Sequence, residues 1–199
     1  GVMVVRGSGP EDTGQYVDGV RVPLLYHFGA LRSVISPVMI ESVDFYPGGY
    51  GASWGRTMGG TMDVHTVRQW SDRVHGVARV DLIDAEIAML GPFQRKDGED
   101  VGGFGVAGRR SYLDLLAPAL APPSLDLTQT ILPRWWDAQF KVTAEPSPRV
   151  RLWATVFGSD DQAGFVRGDL DADDPTRSDD YMGSHTSFVR ATFGGSAQA

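Results

Sequence analysis

Apolar and polar residues alternate along much of the second half of the chain. Between Trp136 and Glu145 the even-numbered positions are apolar and the odd-numbered positions are polar. The same period of two recurs over residues 150–157 and 188–193, and more weakly over 77–82, 85–93 and 104–112. Successive side chains of a strand point to opposite faces of a sheet, so this period indicates strands with one apolar face. We therefore predict about six antiparallel strands after residue 66.

The first 66 residues carry shorter apolar runs that are separated by turn residues. Residues 15–17 and 20–22 flank Asp18-Gly19, a dipeptide that favours a type I′ hairpin turn because both central positions need positive φ. Further apolar runs predict strands over residues 2–6, 42–46 and 61–66. We expect these short strands to form a small mixed sheet.

Two features interrupt this small sheet. Ser36-Pro37 precedes residues 38–41 and predicts a short helix, since serine can cap free amides and proline suits the first helical position. The segment from Pro47 to Gly60 contains six glycines, at positions 48, 49, 51, 55, 59 and 60. Glycine loses more backbone entropy than other residues when it is held in a helix, so this density predicts tight turns. Helical periodicity is nearly absent elsewhere, and the predicted fold class is mainly β.

The connections between the later strands alternate in length. Residues 146–148 and 94–100 form short turns, whereas residues 113–133 and 160–180 predict long loops. Short turns at one end and long loops at the other, with strands of about 9–11 residues, are typical of an outer-membrane β-barrel. A soluble β-sandwich also alternates, so a soluble binding or adhesion module stays open at this point.

Composition narrows the choice of function. The net charge is -7 and the pI is about 5.0, which argues against a nucleic-acid partner. The absence of cysteine excludes disulfides, thiolate zinc sites and thiol nucleophiles. The chain contains no run of 18 consecutive apolar residues, so the sequence predicts no transmembrane helix. The chain begins within a strand-like run and ends in a turn-like one, so we expect a fragment that leaves an open, aggregation-prone sheet edge.

Two glycine motifs resemble enzyme signatures. Residues 51–55 match G-x-S-x-G, which would make Ser53 a hydrolase nucleophile with one of the later histidines as base. That motif needs a following helix, whereas Gly59-Gly60 and a strand follow here. Residues 103–108 match G-x-G-x-x-G, but they continue as a strand and favour a glycine-rich strand over a dinucleotide site. We therefore predict that the protein is not an enzyme, has no catalytic residue and needs no cofactor.

One acidic segment invites a metal-site hypothesis. Asp169, Asp171, Asp173 and Asp180 occupy positions 1, 3, 5 and 12 of a possible calcium loop. Asp174 stands at the sixth position, where such a loop needs glycine. We therefore expect a solvated acidic loop and no metal site, with calcium as a minor alternative.

Three motifs in the first 66 residues together suggest a family. The run from Tyr46 to Val64 resembles the end of the plug domain of TonB-dependent outer-membrane receptors, where a Pro-Gly turn leads through glycines into an apolar strand. Residues 4–7 resemble the family's x-R-G strand, and residues 16–20 resemble its D-G hairpin. The plug motif would comprise Arg6, Gly7, Asp18, Gly19, Pro47, Gly48, Gly49, Gly51, Gly55, Arg56, Gly59 and Gly60.

The resemblance implies an architecture and a function. Residues 1–66 would be the C-terminal part of a plug domain, and residues 67–199 would be the first strands of an incomplete transmembrane β-barrel. The protein would lie in the bacterial outer membrane and take up a scarce small-molecule ligand, such as a ferric siderophore or another chelate. Its partners would be outer-membrane lipid and an inner-membrane energy transducer of the TonB type, which would act through a segment absent here.

The resemblance also suggests roles for individual side chains. Tyr26, His27 and Phe28 follow a hairpin and would form either the ligand-facing apex of the plug or part of a small buried core. Arg6 and Arg56 would pair with carboxylates of the barrel lumen such as Asp137 and Glu145. The side chains expected to face lipid are Trp136, Phe140, Val142 and Phe193.

Overall fold

The fold is described from a computed structural model, which covers residues 5–9, 12–28, 31–120, 130–167 and 180–197. Within these residues three sheets form, with four, six and two strands. No helix in these ranges is both long and apolar enough to cross a bilayer.

The four-stranded sheet contains the short strands of the first 66 residues. Its strands are β1 (Gly14–Val17), β2 (Val20–Arg21), β5 (Ile40–Tyr46) and β6 (Thr61–Thr66), in the order β2-β1-β6-β5. The sheet is mixed, because β1 pairs with β6 in parallel while the other neighbours are antiparallel. Asp18 and Gly19 have φ values of 48° and 78°, which confirms the predicted hairpin turn.

A two-stranded hairpin lies between the halves of this sheet in sequence. It consists of β3 (Tyr26–His27) and β4 (Arg32–Ser33), which pair antiparallel. A 3-10 turn over Pro37–Met39 then leads directly into β5. The predicted helix over residues 38–41 is therefore shorter than expected. Ser36 does not cap it, because its hydroxyl donates a hydrogen bond to Glu86 instead.

The six-stranded sheet contains the later part of the chain. Its strands are β7 (His75–Val80), β8 (Asp84–Gln94), β9 (Asp100–Ser111), β10 (Thr130–Ser147), β11 (Val150–Arg167) and β12 (Asp180–Ala197). All neighbours are antiparallel and follow chain order from β7 to β12. The prediction of about six antiparallel strands is confirmed. We call this sheet the wall, and we call residues 5–66 the plug segment.

The long connections differ from the prediction in two ways. The expected loop over residues 113–133 contains a helix, α1 (Leu113–Leu120), and the expected loop over 160–180 is strand up to Arg167. Three strands reach 18 residues, beyond the predicted 9–11. Cross-strand pairing is continuous from Val150–Ala197 to Arg167–Asp180. The added residues of these strands are polar and show no alternation in the sequence. They still form strands, because the pairing of backbone groups does not depend on side-chain polarity.

The two faces of the wall differ sharply in polarity. Polar side chains such as Asp137, Gln139 and Lys141 are buried against the plug segment. Apolar side chains point away from it, with exposed fractions of 69% for Ile87 and 90% for Phe193. Trp136 and Phe140, which were predicted to face lipid, are exposed on this outer face, and Val142 is half-buried there. The apolar faces therefore do not pack against one another.

The apolar core lies at the contact between the plug segment and the wall. Its plug side chains are Val17, Val22, Leu25, Val34, Ile35, Met39 and Val64. The wall contributes Ala88, Ala107, Phe157 and Phe188 to the same cluster. Glycine on β9 makes this approach possible, since a Cβ added to Gly105 would lie 2.7 Å from the Met39 sulfur. This agrees with the expectation that residues 103–108 form a glycine-rich strand with room for the plug.

Candidate functional site

His27 lies at the centre of a buried polar cluster between plug segment and wall. Its side chain has no accessible surface. Nδ1 lies 2.8 Å from Oδ1 of Asp161 on β11, and Nε2 lies 3.1 Å from Oδ2 of Asp137 on β10. The imidazole also stacks on the indole of Trp135, with a centroid distance of 5.3 Å and an interplanar angle of 22°. The hairpin thus places one histidine against two neighbouring strands of the wall.

The acidic neighbours of His27 affect its protonation. Burial by itself lowers the pKa of His27, because it disfavours the charged imidazole. Hydrogen bonds from the ring to Asp137 and Asp161, together with the charges of these carboxylates, outweigh burial and raise the pKa above its ordinary value of 6.5. The arrangement therefore favours the charged form of His27.

Arg109 on β9 completes the cluster around Asp137. Its Nη2 lies 2.7 Å and its Nε 2.9 Å from the same carboxylate oxygen, Oδ2. The guanidinium also donates to the backbone carbonyl of Ser33 on β4. The other oxygen of Asp137, Oδ1, accepts a hydrogen bond of 2.8 Å from the amide of Gln139. Asp137 therefore joins two neighbouring strands of the wall, β9 and β10, to the hairpin.

The segment that follows the hairpin is held by a second group of polar contacts. Gln139 donates to the carbonyl of Val34 at 2.8 Å and accepts from the amide of Ser36 at 2.9 Å. The Ser36 hydroxyl donates to Glu86, which also pairs with Arg79 at 2.7 Å. Such side chain to backbone bonds satisfy irregular backbone that no sheet neighbour covers. Residues 33–36 are thus fixed to the wall through their backbone.

Arg32 of β4 extends these contacts toward β8. Its Nε donates to Oδ2 of Asp84 at 2.8 Å, and its guanidinium also pairs with Asp81. Asp84 is buried, whereas Arg32 is about one-third exposed. The polar contacts of the hairpin therefore run across the wall from β8 to β11.

A separate contact fixes the Asp18-Gly19 turn to the wall. The Nζ of Lys141 on β10 lies 3.2 Å from Oδ2 of Asp18, 2.5 Å from Oγ1 of Thr66 and 3.2 Å from its carbonyl oxygen. Asp18 also accepts a bond of 2.9 Å from the Thr66 amide. The three donors of the ammonium group are therefore used within this contact.

A cavity of about 610 Å³ lies beside the Lys141 contact. Its volume is in the range of small-molecule sites. The lining side chains are Asp18, Ser53, Trp54, Asp63 and His65 from the plug segment, Arg68 from the connection that follows it, and Lys141, Thr143, Arg151, Trp153 and Ser196 from the wall. Among these side chains Lys141 pairs with Asp18, whereas Arg68 and Arg151 pair with Glu41 and Glu145, which do not line the cavity.

The structure separates the three residues predicted as a ligand-facing apex. His27 is fully buried, while Tyr26 and Phe28 are half-buried. The Tyr26 hydroxyl lies 3.6 Å from the Met62 sulfur, and Phe28 packs at 5.8 Å from the Trp135 ring. Of the two alternatives left open by the sequence, the buried one describes His27. A role of these residues toward a ligand stays a prediction.

The arginines of the plug motif do not form the predicted ion pairs. Asp137 pairs with Arg109 and His27, and Glu145 pairs with Arg151. Arg6 instead lies over Gly48, where an added Cβ would be 2.6 Å from its guanidinium. The backbone carbonyl of Arg56 accepts a bond from Arg21 at 3.3 Å. The pairing prediction for Arg6 and Arg56 was wrong because wall arginines occupy the positions next to both carboxylates.

The glycines of the plug motif serve two different purposes. Gly7, Gly19 and Gly49 have positive φ, which a residue with Cβ adopts only with strain. Gly59 and Gly60 lie where an added Cβ would collide with Ser8 or approach Val5 closely. Pro47, Gly51 and Gly55 lie in the turn-rich connection between β5 and β6.

The enzyme and metal hypotheses find little support in the geometry. Ser53 lies in a turn between β5 and β6, and within the described ranges no histidine hydrogen-bonds its hydroxyl. His65, which lines the same cavity as Ser53, bonds to Asp44 at 3.0 Å. No group of three or more acidic or histidine side chains in the described residues is arranged to hold a metal ion. Asp169, Asp171 and Asp173 lie outside the described residues, and Asp180 begins β12.

Sequence reasoning missed most members of the buried cluster. Arg109, Gln139, Asp161, Glu86 and Ser36 all lie in it. A usable signal was present for Glu86, Arg109 and Gln139, which occupy polar positions of alternating strands, but not for Asp161, which lies in a segment predicted as a loop. Those positions predict the inner face, but they do not predict which plug residue each one meets.

Comparisons with known proteins agree with this architecture. Residues 1–61 match the family model of the TonB-dependent receptor plug domain. No curated protein matches the sequence. The chain is similar to the siderophore receptor PirA from Acinetobacter baumannii, with a TM-score of 0.53 and 15% identity, over 80% of this chain and 25% of that one. It is also similar to the ferric enterobactin receptor PfeA from Pseudomonas aeruginosa, with a TM-score of 0.51 and 17% identity, over 94% of this chain and 32% of that one.

The structural similarities are to parts of longer proteins. At such identities they show the fold alone, and the chain spans between a quarter and a third of the length of the solved receptors it matches. The family match ends at residue 61, five residues before the end of the plug segment, and the structural matches extend over the wall. Residues 1–61 thus match a TonB-dependent receptor plug domain, and the chain shares the fold of part of the solved receptors.

Proposed function

We propose that this chain is part of an outer-membrane receptor that takes up a scarce small-molecule ligand with energy from an inner-membrane protein of the TonB type. Residues 1–66 would be the C-terminal part of the plug and residues 67–199 the first barrel strands. The plug-domain match of residues 1–61 supports this division.

One observation carries the proposal. The inner face of the wall buries polar side chains such as Asp137 and Lys141, whereas the outer face exposes large apolar ones such as Ile87 and Val189. A soluble protein rarely exposes such a continuous apolar band. Transmembrane barrels show this distribution, with apolar residues toward lipid and polar residues toward the lumen. A soluble binding module would pack these apolar faces on each other.

The ligand is proposed to be a ferric siderophore or another chelate. The support is that PirA and PfeA are siderophore receptors. Tyr26 and Phe28, which are half-buried, would be available to a ligand above the hairpin, whereas His27 would act through the position of the hairpin.

Uptake by the intact bacterium tests the proposal. A strain that lacks the gene for the full-length protein is compared with its parent for accumulation of a panel of iron-55 siderophore complexes under iron limitation. We expect the deletion to abolish uptake of at least one complex, and a protonophore to abolish the same uptake in the parent. Unchanged uptake of every complex, or recovery of the protein in the soluble fraction, would contradict the proposal.

A further inference from the structure

Both ring nitrogens of His27 face carboxylates of the wall. Asp161 lies at 2.8 Å from Nδ1, and Asp137 lies at 3.1 Å from Nε2. A neutral imidazole carries one N–H and can donate from one nitrogen only. The charged imidazole donates from both, so only this form satisfies both carboxylates through His27 at once.

The charges around His27 balance only in that form. The ionisable groups that face it are Asp137 on β10 and Asp161 on β11, and Arg109 on β9 shares Asp137. Ser159 and Gln139 supply neutral donors to the two carboxylates. Two cations then match two anions in a buried site. Loss of the His27 proton would leave one negative charge in excess, which a buried site tolerates poorly.

We propose that His27 is a positioning residue that holds the β3–β4 hairpin on the wall while its imidazole is charged and releases it when the imidazole becomes neutral. The stacking of His27 on Trp135 at 5.3 Å also favours the charged form, since indole attracts cations. The proposal concerns only the docking of hairpin and wall, so it holds whether or not the protein transports a ligand.

The direction of the pH effect follows from the pKa. The folded state raises the pKa of His27 above 6.5, despite the opposing effect of burial. The stabilisation is therefore complete below the unfolded pKa and is lost as the pH rises through the folded value. Alkaline conditions therefore loosen the hairpin, whereas a pH below the folded pKa of His27 holds it on the wall.

Hydrogen exchange of the full-length protein in detergent micelles measures this docking. The reporters are the amides of Leu31, which bonds to the His27 carbonyl, and Val34, which bonds to the Leu25 carbonyl. The internal reference is the Val67 amide, which bonds to Met39 away from the cluster. With intrinsic exchange corrected, we expect the protection of Leu31 and Val34 to fall as the pH rises from about 6 to about 10, because His27 loses its proton over this range. Val67 should stay constant.

Three variants separate charge from shape. His27→Gln should show low protection that no longer depends on pH, because a neutral amide cannot replace the charged ring. His27→Gln combined with Asp161→Asn removes the excess negative charge and should regain protection without regaining the pH dependence. His65→Gln is the matched control, since His65 also bonds an aspartate but lies within the plug sheet.

The wild-type titration alone can overturn the proposal. Protection of Leu31 and Val34 that stays constant over the whole pH range would do so, and this result needs no variant to fold. Retention of the wild-type pH dependence by His27→Gln would also overturn it. An equal response of His65→Gln would show that the effect is not specific to the hairpin.

Discussion

The plug segment and the wall bury opposite kinds of side chain. The plug segment places Val17, Ile35 and Val64 in the interior, as a soluble domain does. The wall places Asp137, Gln139 and Lys141 in the interior and leaves its apolar residues outside. An apolar side chain is therefore buried in one region and exposed in the other, because the partner of each face decides which residues are buried.

This difference concentrates buried charge at the contact between the two regions. The wall carries polar residues inward, and the backbone of residues 33–36 needs polar partners. Buried charges are stable only when they are paired and hydrogen-bonded. The contact between His27, Asp137, Asp161 and Arg109 meets this condition. The contact should therefore be more sensitive to loss of one charge than any exposed ion pair of the wall.

Replacement of Asp137 by Asn tests this sensitivity most strongly. The change preserves the shape of the side chain but removes the charge shared by buried Arg109 and His27. Breaking a buried pair in this way costs about 3–5 kcal/mol. We expect the free energy of unfolding, measured by urea titration of the full-length protein in detergent micelles, to fall by that amount.

Glu145→Gln is the matched control for Asp137→Asn. Glu145 is a wall carboxylate whose pair with Arg151 is substantially exposed on both sides. An exposed pair contributes about 0–1 kcal/mol. Equal losses in the two variants would show that burial at the contact does not decide the strength of the pair.

The outer face of the wall gives the second test. Phe140 is exposed on β10 between Gln139 and Lys141, which are buried. If this face meets lipid, Phe140→Arg should reduce the stability of the protein folded in lipid vesicles by about 2–4 kcal/mol. Ser147→Arg at the end of the same strand should cost about 0–1 kcal/mol, because charge is tolerated near the membrane surface. A Phe140→Arg loss no larger than that of Ser147→Arg would place the face in water.

Much of the fold could be predicted from the sequence because it depends on local rules. The Asp18-Gly19 turn follows from its need for positive φ at both positions. The period of two from Trp136 to Glu145 identifies both the strand and its two faces. Helix α1 was missed because it has only eight residues and no helical pattern extends beyond them in the sequence.

The buried cluster could not be predicted in the same way. His27 and Asp161 are separated by 134 positions, and no local pattern relates them. The alternation predicts that Asp137 points inward, but the choice among Arg6, Arg56, Arg109 and His27 as partners depends on where the plug segment docks. Docking is decided by the combined packing of the apolar core, to which both regions contribute.

Glycine at the close approach between the regions gives a third, smaller test. An added Cβ on Gly105 would lie 2.7 Å from the Met39 sulfur, so Gly105→Ala should overpack the contact at a cost of about 1–3 kcal/mol. Gly108 on the same strand has open space where a Cβ would stand. Gly108→Ala should therefore leave the urea midpoint nearly unchanged. A comparable loss in both variants would mean that strand conformation, and not contact with the plug, is responsible.

The smallest effect is expected within the plug segment, where substitution of two carboxylates, Asp63 and Asp18, should change the stability in opposite directions. Burial raises the pKa of Asp63, and the nearby Asp18 and Asp44 carboxylates add to this, although the Gly19 amide and His65 offset part of it. An acid whose pKa is raised by folding stabilises the folded state only while protonated, so this contribution falls as the pH rises from 3.8 through the folded value. In the structure the Gly19 amide donates to Oδ1 of Asp63 at 3.1 Å, and Asp63→Asn keeps an oxygen that can accept this bond.

We therefore expect Asp63→Asn to raise the urea midpoint slightly at neutral pH and to remove the decline in stability that begins as the pH rises above about 4. Asp18→Asn should instead lower the midpoint, because Asp18 is the charge partner of Lys141 on the wall. The comparison isolates the role of the wall, since only one of the two aspartates contacts it through a cation. If Asp63→Asn lowered the midpoint as much as Asp18→Asn does, the charge of Asp63 would also be required for docking the plug segment.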